Sequence, residues 1–149
     1  HRVVDMSFNR AGMLALNLLD TLVESKLSSS REGAQHLLVR KAMLAVRENL
    51  DLGIDVSALA AMLEVSREHL ARVFKEHVGR PPSRFIQEEK MHYACELLRD
   101  TSMLCREIAD RLGYNSSSNF IRAFRNVTGV TPAHFREEGR MLTEPFPPA

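Results

Sequence analysis

Tryptophan is missing from this chain of 149 residues, and cysteine and aromatic residues are scarce, at two cysteines and 6% aromatics. So few aromatic rings argue against a sugar-binding site or an aromatic cage. Cys95 and Cys105 stand in no metal or redox motif, which is typical of a reducing cytoplasm. No apolar run approaches the roughly 18 residues of a membrane span, and no signal-peptide pattern is visible. We therefore expect a cytoplasmic protein, and His1 as first residue predicts a piece of a longer one.

An excess of one charge is lacking as well, because 20 Lys and Arg face 19 Asp and Glu. The charges are unevenly distributed, however. Residues 65–136 carry twelve Lys and Arg against eight Asp and Glu, and residues 111–136 carry four Arg and no acid. A basic segment inside a neutral chain is a weak indication of nucleic-acid binding, and a solvated helix surface explains it equally well.

Strand patterns are nearly absent, whereas apolar residues recur at the 3.6-residue period of a helix, so we predict an all-α fold. Asp55 and Ser66 are predicted N-caps, and either Asn115 or Ser116 is predicted to cap helix 117–128. Residues 100–102 are predicted to end one helix and cap the next. Thr131 with Pro132 is predicted to open the last helix. The predicted helices cover about 11–27, 34–49, 56–63, 67–77, 82–99, 103–112, 117–128 and 132–138, with Ser28, Ser29 and Ser30 as a linker after the first.

Two segments of the chain repeat each other. Residues 59–85 align with residues 108–135, at an offset of 49 in the first helix of each copy and 50 in the second. Each copy is a pair of short helices joined by three or four residues, with a small residue, Ala60 or Ala109, where the helices approach. This pattern is typical of a helix-turn-helix. We predict two such units, joined by helix 82–99.

The second helix of each copy separates apolar from polar residues. Arg72 and Arg122 are equivalent mid-helix residues on the polar side, where a guanidinium can bind a guanine edge through two hydrogen bonds. Lys75 and Arg125, one turn later, are better placed for phosphate. The predicted inward residues are Leu70, Val73, Phe74, Phe120, Phe124 and Val127, and the other predicted outward residues are Glu68, Ala71, Ser117, Ser118 and Ile121.

In these residues the chain resembles the C-terminal DNA-binding domain of the AraC/XylS family of bacterial transcription regulators. The resemblance covers about residues 36–138, and residues 113–136 are its most diagnostic stretch. The matching residues are Leu59, Ala60, Ser66, Leu70, Arg72, Phe74, Lys75, Gly79, Pro82, Phe85, Ala94, Leu97 and Leu98, and then Ile108, Ala109, Gly113, Tyr114, Phe120, Arg122, Phe124, Arg125, Gly129, Thr131, Pro132 and Arg136.

The resemblance implies sequence-specific binding of a double-stranded DNA operator, with both second helices in successive major-groove segments. It also implies a contact with RNA polymerase, as in a transcription activator. The implied base-reading residues are Glu68, Ala71, Arg72, Ser117, Ser118, Asn119 and Arg122. The predicted phosphate-binding residues are Ser66, Arg67, Lys75, Ser116 and Arg125, with Ser66 and Ser116 favoured by the helix dipole.

Three departures from the family pattern distinguish the two copies. Glu64 stands where the family usually has a turn glycine, and a positive φ there costs on the order of 1 kcal/mol. Glu68 can accept from cytosine and Ala71 offers only a methyl contact, so the first copy has few donors for bases. Lys90 and Met91 replace the usual Arg-Leu pair of the connecting helix. We expect both copies to bind DNA but to differ in their base specificity.

Catalytic or metal chemistry has little support in the sequence. His92 and Cys95 lie three residues apart, but without a third and fourth ligand nearby they predict no metal site. Residues 116–118 lack the strand-turn-helix setting and the base of a serine nucleophile. We expect no enzymatic activity, no catalytic residue and no cofactor. His69 is interpreted as an exposed surface histidine, with a phosphate contact as the alternative.

The predicted helix 11–27 is apolar over more than half of its circumference, which indicates a partner. It is either the remnant of a preceding regulatory or homodimerisation domain or a helix that packs on helix 34–49. A small-molecule effector, if one exists, would bind in a domain mostly absent from this chain. The predicted organisation is residues 1–31 as N-terminal helix and linker, 32–138 as DNA-binding domain and 139–149 as a flexible tail. The competing function is a protein-interaction or dimerisation module with a degenerate helix-turn-helix.

Overall fold

The computed structural model describes residues 31–139. Within that range the fold is all-α, as predicted, with seven α-helices, one 3₁₀-helix and no strand. None of the helices in this range is long and apolar enough to cross a membrane. The predicted helix 11–27 and the tail beyond residue 139 lie outside the described residues. The elements are α1 (Arg31–Glu48), the 3₁₀-helix (Leu50–Leu52), α2 (Val56–Met62), α3 (Arg67–Val78), α4 (Pro82–Asp100), α5 (Cys105–Arg111), α6 (Ser117–Thr128) and α7 (Pro132–Gly139).

The second helices of the two repeats, α3 and α6, begin in the same way. The Oγ atom of Ser66 accepts a hydrogen bond from the backbone N–H three residues later at 3.1 Å, and Ser116 does the same at 3.2 Å. Each bond satisfies one of the N–H groups that a helix start leaves unpaired. Asp55 caps α2 through its Oδ1 atom at 2.8 Å. These caps confirm the predicted starts of three helices.

The predicted capping of α5 by residues 100–102 is wrong. The N-cap is Leu104, two residues later than the predicted range, and its backbone N–H donates to Oε2 of Glu107 at 2.7 Å. The hydroxyl of Thr101 serves the preceding helix, because it donates to the carbonyl oxygen of Leu97 at 2.5 Å. Since Glu107 reaches back to the N-cap backbone, α5 starts without a polar side chain at that position.

Helix α4 connects two hydrophobic cores. We call residues 31–89 the first lobe and residues 90–139 the second lobe. Equivalent ring pairs lie in the two cores, with centroids 5.5 Å apart for Phe74 and Phe85 and 5.7 Å apart for Phe124 and Phe135. Tyr93 of α4 packs against both cores. The repeat in the sequence therefore corresponds to a repeat in packing.

The outermost helices are fixed to α4 by arginine side chains. In the first lobe, Nε of Arg47 on α1 donates to Oε2 of Glu89 at 3.1 Å. In the second lobe, Arg136 on α7 donates to the carbonyl oxygens of Leu98 at 3.1 Å and of Met103 at 2.6 Å. The second arrangement closes the end of α4 and the loop that follows it.

The lobes also contact each other away from α4. Nε and Nη2 of Arg111, at the end of α5, donate to the two carboxylate oxygens of Asp51 in the 3₁₀-helix, at 2.7 and 3.4 Å. Beside this ion pair, the backbone of Gly53 lies directly against that of Gly113. Neither the 3₁₀-helix nor this contact was predicted from the sequence.

Candidate nucleic-acid interface

Helices α3 and α6 each follow a seven-residue helix and are twelve residues long. Of their predicted inward residues, Leu70, Val73, Phe74, Phe120 and Phe124 have no exposed surface, and Val127 is half-buried against the second core. Because residues three and four positions apart share a side of a helix, this anchoring leaves the opposite side to solvent. Each unit therefore presents one exposed helix surface on a buried support.

The turns between the two helices of each unit have the same backbone path with different residues. Glu64 has φ 55° and Gly113 has φ 80°, so both lie in the left-handed region. In each unit the next residue donates its N–H to a carbonyl five positions earlier, at 3.1 Å in the first and 2.9 Å in the second. A side chain in this conformation costs about 1–2 kcal/mol. The first unit thus carries strain that the second avoids.

The predicted base-reading residues of the first unit lie on one side of α3. Glu68 and Arg72 are exposed, and Ala71 between them is half-buried. An acid, a methyl group and a guanidinium therefore make up this surface. A single donor group, that of Arg72, is available there for base edges.

The predicted base-reading residues of the second unit lie at the start and middle of α6. Ser118, Asn119 and Arg122 are exposed, and Ser117 is half-buried. Ile121 was predicted to point outward, which is wrong, because it is half-buried and packs against the second core. Its position borders the buried side of the helix, where an apolar side chain is drawn to the core. The remaining exposed groups are all neutral or basic.

Each central arginine is held by the residue one turn before it. Nη2 of Arg72 lies 2.9 Å from Nδ1 of His69, and Nη2 of Arg122 donates to Oδ1 of Asn119 at 2.9 Å. His69 was interpreted as a surface histidine, and its part in this pair was missed. The signal that could have found it is the alignment itself, since His69 and Asn119 are equivalent at the offset of 50. Both guanidiniums are thereby oriented along the exposed side.

The predicted phosphate-binding side chains surround these arginines. Arg67, Lys75 and Arg125 are exposed, and within residues 31–139 none of them forms an ion pair. Ser66 and Ser116 are the helix N-caps, and each hydroxyl retains its hydrogen as a donor because the oxygen is the capping acceptor. Helix N-termini also favour anions. This set can contact phosphate without losing an internal partner.

The structure divides the four arginines of the acid-free segment 111–136 into two kinds. Arg111 and Arg136 are engaged by a carboxylate and by backbone carbonyls. Arg122 and Arg125 stand on the exposed side of α6. The local excess of positive charge is therefore smaller than the sequence suggests, and it is concentrated on the helix that carries the predicted readers.

Lys90, which departs from the family pattern, lies inside the fold. It is 9% exposed, and its ammonium lies 5.7 Å from the centre of the Tyr114 ring. Burial lowers the pKa of Lys90, and the nearby Asp55 opposes that shift. Met91 beside it is fully buried in the second core. Both residues therefore belong to the packing of α4 and not to the exposed helix surfaces.

No metal-binding cluster is visible in the part of the chain that the structure describes, since no three His, Cys, Asp or Glu there could hold an ion. Cys95 is buried, and burial raises the pKa of its thiol to about 12. Its thiol is therefore protonated at neutral pH and poorly nucleophilic.

Two exposed, arginine-bearing helices on linked helix-turn-helix units define a DNA-binding domain of a transcription regulator. Residues 59–138 match the model of a family described as a helix-turn-helix domain. Similar solved structures include a Chromobacterium violaceum regulator described as containing an AraC-type DNA-binding domain, with a TM-score of 0.64 and 26% identity over 71% of this chain and 95% of that one. The chain belongs to the AraC/XylS family of transcription regulators.

Other relatives agree with this assignment. The HTH-type transcriptional regulator ArgR of Pseudomonas aeruginosa is 32% identical over 111 residues, which are 74% of this chain and 34% of that protein. The DNA-binding domain of AdpA, solved in complex with a target DNA, has a TM-score of 0.63 and 27% identity, covering 69% of this chain and 93% of that one. The chain spans only 13% to 34% of the length of the first related regulators that it matches.

Proposed function

We propose that this domain binds a double-stranded DNA operator with α3 and α6 in two successive major-groove segments. The observation that carries the proposal is the pair of equivalent arginines, Arg72 and Arg122, each exposed at mid-helix and oriented by the residue one turn before it. The connecting helix α4 has 19 residues and is about 28 Å long. This length is compatible with groove segments one helical turn, about 34 Å, apart.

The proposed readers are the residues predicted from the sequence. In the second unit Arg122, Asn119 and Ser118 present donors and acceptors to base edges, with Ser117 at their margin. In the first unit Arg72 supplies the donor groups, while Glu68 and Ala71 add a cytosine acceptor and a methyl contact. The second unit therefore contributes most of the base discrimination.

The phosphate contacts supply affinity that does not depend on sequence. Arg67, Lys75 and Arg125 bind backbone phosphates, and the capping hydroxyls of Ser66 and Ser116 donate to phosphates at the helix N-termini. Because each neutralised phosphate releases a counterion, binding weakens as salt concentration rises. Both units contribute to this phosphate binding.

For the whole protein we propose a cytoplasmic regulator that acts on transcription at the nucleoid. The related RhaR of Cronobacter sakazakii is described as a transcriptional activator. By analogy, a contact with RNA polymerase accompanies operator binding. The related regulators extend well beyond the part that this chain matches, and a regulatory or dimerisation domain, to which the predicted helix 11–27 would belong, would bind any effector or mediate homodimerisation.

Selection from a random double-stranded DNA library at low salt tests the proposal. The expected result is enrichment of a bipartite motif with its halves about one helical turn apart. Arg40→Ala is the control matched to the proposed readers Arg72 and Arg122, because Arg40 is also an exposed arginine but lies on α1, outside both helix-turn-helix units. It should enrich the same motif. A selection that enriches no motif would contradict DNA recognition and favour a protein-interaction module.

A further inference from the structure

The contact between the loop at residues 50–54 and the turn at residues 112–114 joins backbone to backbone. A Cβ atom added to Gly53 would lie 2.8 Å from the Cα atom of Gly113, and one added to Gly113 would lie 2.7 Å from the Cα atom of Gly53. Real side chains essentially never approach so closely. Since the atoms that meet are backbone, no side-chain rotation can make room. This approach requires glycine on both sides.

The same closeness is absent at the other left-handed glycines of the two units. A Cβ atom on Gly79 or on Gly129 would meet nothing within 4 Å. These two glycines end the exposed helices α3 and α6, with φ 79° and 85°. Of these four glycines with positive φ in residues 31–139, only Gly53 and Gly113 are touched by the other lobe.

The glycine contact lies beside an ion pair that joins the two lobes. Arg111 and Asp51 are each two residues before a contacting glycine, and their side chains keep 41% and 48% of their surface exposed. A pair this exposed adds little stability by itself. The pair instead fixes the orientation of the two side chains relative to each other, because two parallel hydrogen bonds resist rotation.

The position of this contact couples it to both exposed helices. Gly113 lies in the turn that sets α6 against α5, and Gly53 lies two residues before Asp55, the N-cap of α2. The two helix-turn-helix units are therefore joined twice, through α4 and through this loop-to-turn contact. Two separated attachments restrict the twisting that a single helix would allow.

We propose that Asp51, Gly53, Arg111 and Gly113 are positioning residues that hold α3 and α6 at one separation and rotation, and so restrict the domain to DNA subsites at a single spacing. The inference rests on the proposed function, because it concerns how that function selects its sites. One additional base pair moves a subsite by about 3.4 Å and rotates it by about 34°. A rigid pair of helices cannot follow both changes.

The first test measures Kd for the selected operator and for versions with the spacer changed by one and two base pairs. The wild-type protein should prefer one spacing over its neighbours by roughly tenfold or more. Gly113→Ala should reduce that preference to roughly threefold or shift the optimum, because the lobes must separate to admit the methyl group. Gly129→Ala is the matched control, with a similar φ and no contact, and should keep the wild-type spacing profile. An unchanged profile in Gly113→Ala would overturn the inference.

A charge exchange tests the ion pair without crowding the glycines. Asp51→Arg should flatten the spacing profile, and the double variant with Arg111→Asp should restore it. A double variant as flat as the single one would contradict a positioning role for the pair. A poorly folded Gly113→Ala variant would leave this exchange as the decisive experiment.

A distance measurement separates failure of the inference from failure of the proposed function. Glu76 and Asn126 are exposed and equivalent in the two repeats, so Glu76→Cys with Asn126→Cys accepts a pair of spin labels in a Cys105→Ser background. Without DNA, the labels should show one narrow distance distribution, broadened by Gly113→Ala and unchanged by Gly129→Ala. Equal widths in all three would overturn the inference even if DNA binds. A narrow distribution in a protein that selects no DNA would contradict only the proposed function.

Discussion

The first and second helix-turn-helix units differ where they face solvent and agree where they face their cores. Equivalent phenylalanines anchor both exposed helices, and serine caps begin both. The turn residue is a strained Glu64 in one unit and an unstrained Gly113 in the other. The two units thus share their packing and their caps and differ in their exposed residues, and we propose that these exposed residues give the two units different base specificity. If so, substitutions in the two cores should change stability, and substitutions on the exposed helices should change DNA recognition.

The largest expected effect comes from truncating the equivalent core phenylalanines. Phe74→Ala and Phe124→Ala should each cost about 3–5 kcal/mol of unfolding free energy, because both rings are fully buried. Urea denaturation measures the loss, and amide hydrogen exchange locates it. Each variant should lose protection first in its own lobe. Equal loss of protection in both lobes would contradict the separation, and Phe74→Leu, which retains most of the volume, should cost much less.

The next effect concerns how the second lobe is closed. Arg136→Ala should destabilise that lobe by about 2 kcal/mol, because the carbonyls that Arg136 binds lose their donor. The equivalent position in the first lobe is Ile86, which contributes by burial instead. Arg106→Ala, at an exposed residue of α5, is the matched control and should have little effect on denaturation. A loss below about 0.5 kcal/mol in Arg136→Ala would assign closure of the lobe to packing alone.

A third prediction separates the two reading surfaces. Arg122→Ala should cost about 1–3 kcal/mol of binding free energy and relax the preference at one base position, because a two-bond contact is lost. Arg72→Ala should reduce discrimination less, because Arg122 also holds Asn119, another proposed base reader, whereas the partner of Arg72 is His69, which is not a proposed base reader. Titration against single-base operator variants measures both. Greater loss of discrimination in Arg72→Ala would reverse the assigned order of the units.

The same titration with Lys75→Ala tests the proposed phosphate contact. The substitution should weaken binding to all operator variants by a similar factor and lower the salt slope by about one. A loss confined to particular base sequences would contradict a phosphate role for Lys75.

The smallest expected effect is at the strained turn. Glu64→Gly should raise the unfolding free energy by about 0.5 kcal/mol, because relief of about 1–2 kcal/mol of strain is partly offset by the greater chain entropy of glycine. Urea denaturation measures the change, and Glu64→Ala, which keeps the strain, is the control. A destabilised Glu64→Gly protein would show that the glutamate side chain contributes a contact of its own.

Local features of the fold could be predicted from the sequence, because they depend on neighbours along the chain. The cap at Ser66 and the inward phenylalanines follow from spacing, and Ser116 is one of the two caps predicted for its helix. The family pattern placed Glu64 where a turn glycine is usual, and the structure gives Glu64 the positive φ whose cost was considered there. The 3₁₀-helix was missed, because three residues are too few to show a period. The start of α5 was predicted too early. Residues 100–102 were expected to cap this helix, but the side chain of Glu107, which follows the N-cap, binds the N-cap backbone N–H instead.

Contacts between distant residues could not be predicted in the same way. Asp51 and Arg111 lie 60 positions apart, and nothing in the local pattern of either residue indicates the other. Gly53 occupies an ordinary loop position in the sequence, and only the fold brings it against Gly113. Of the candidate site, most exposed residues of both helices could be predicted from the sequence, but the half-buried Ile121 was wrongly placed among them. The sequence did not identify which arginines the fold engages internally.

The most direct test of the two-helix reading is the affinity of the protein for an intact operator compared with operators in which one half is randomised. Randomising either half should weaken binding, and the larger loss should come from the half whose randomisation costs less affinity in Arg122→Ala than in the wild-type protein. That result would assign the stronger reading to α6 and the weaker to α3. Loss of affinity from one half only, with the other half silent, would contradict recognition by two helices.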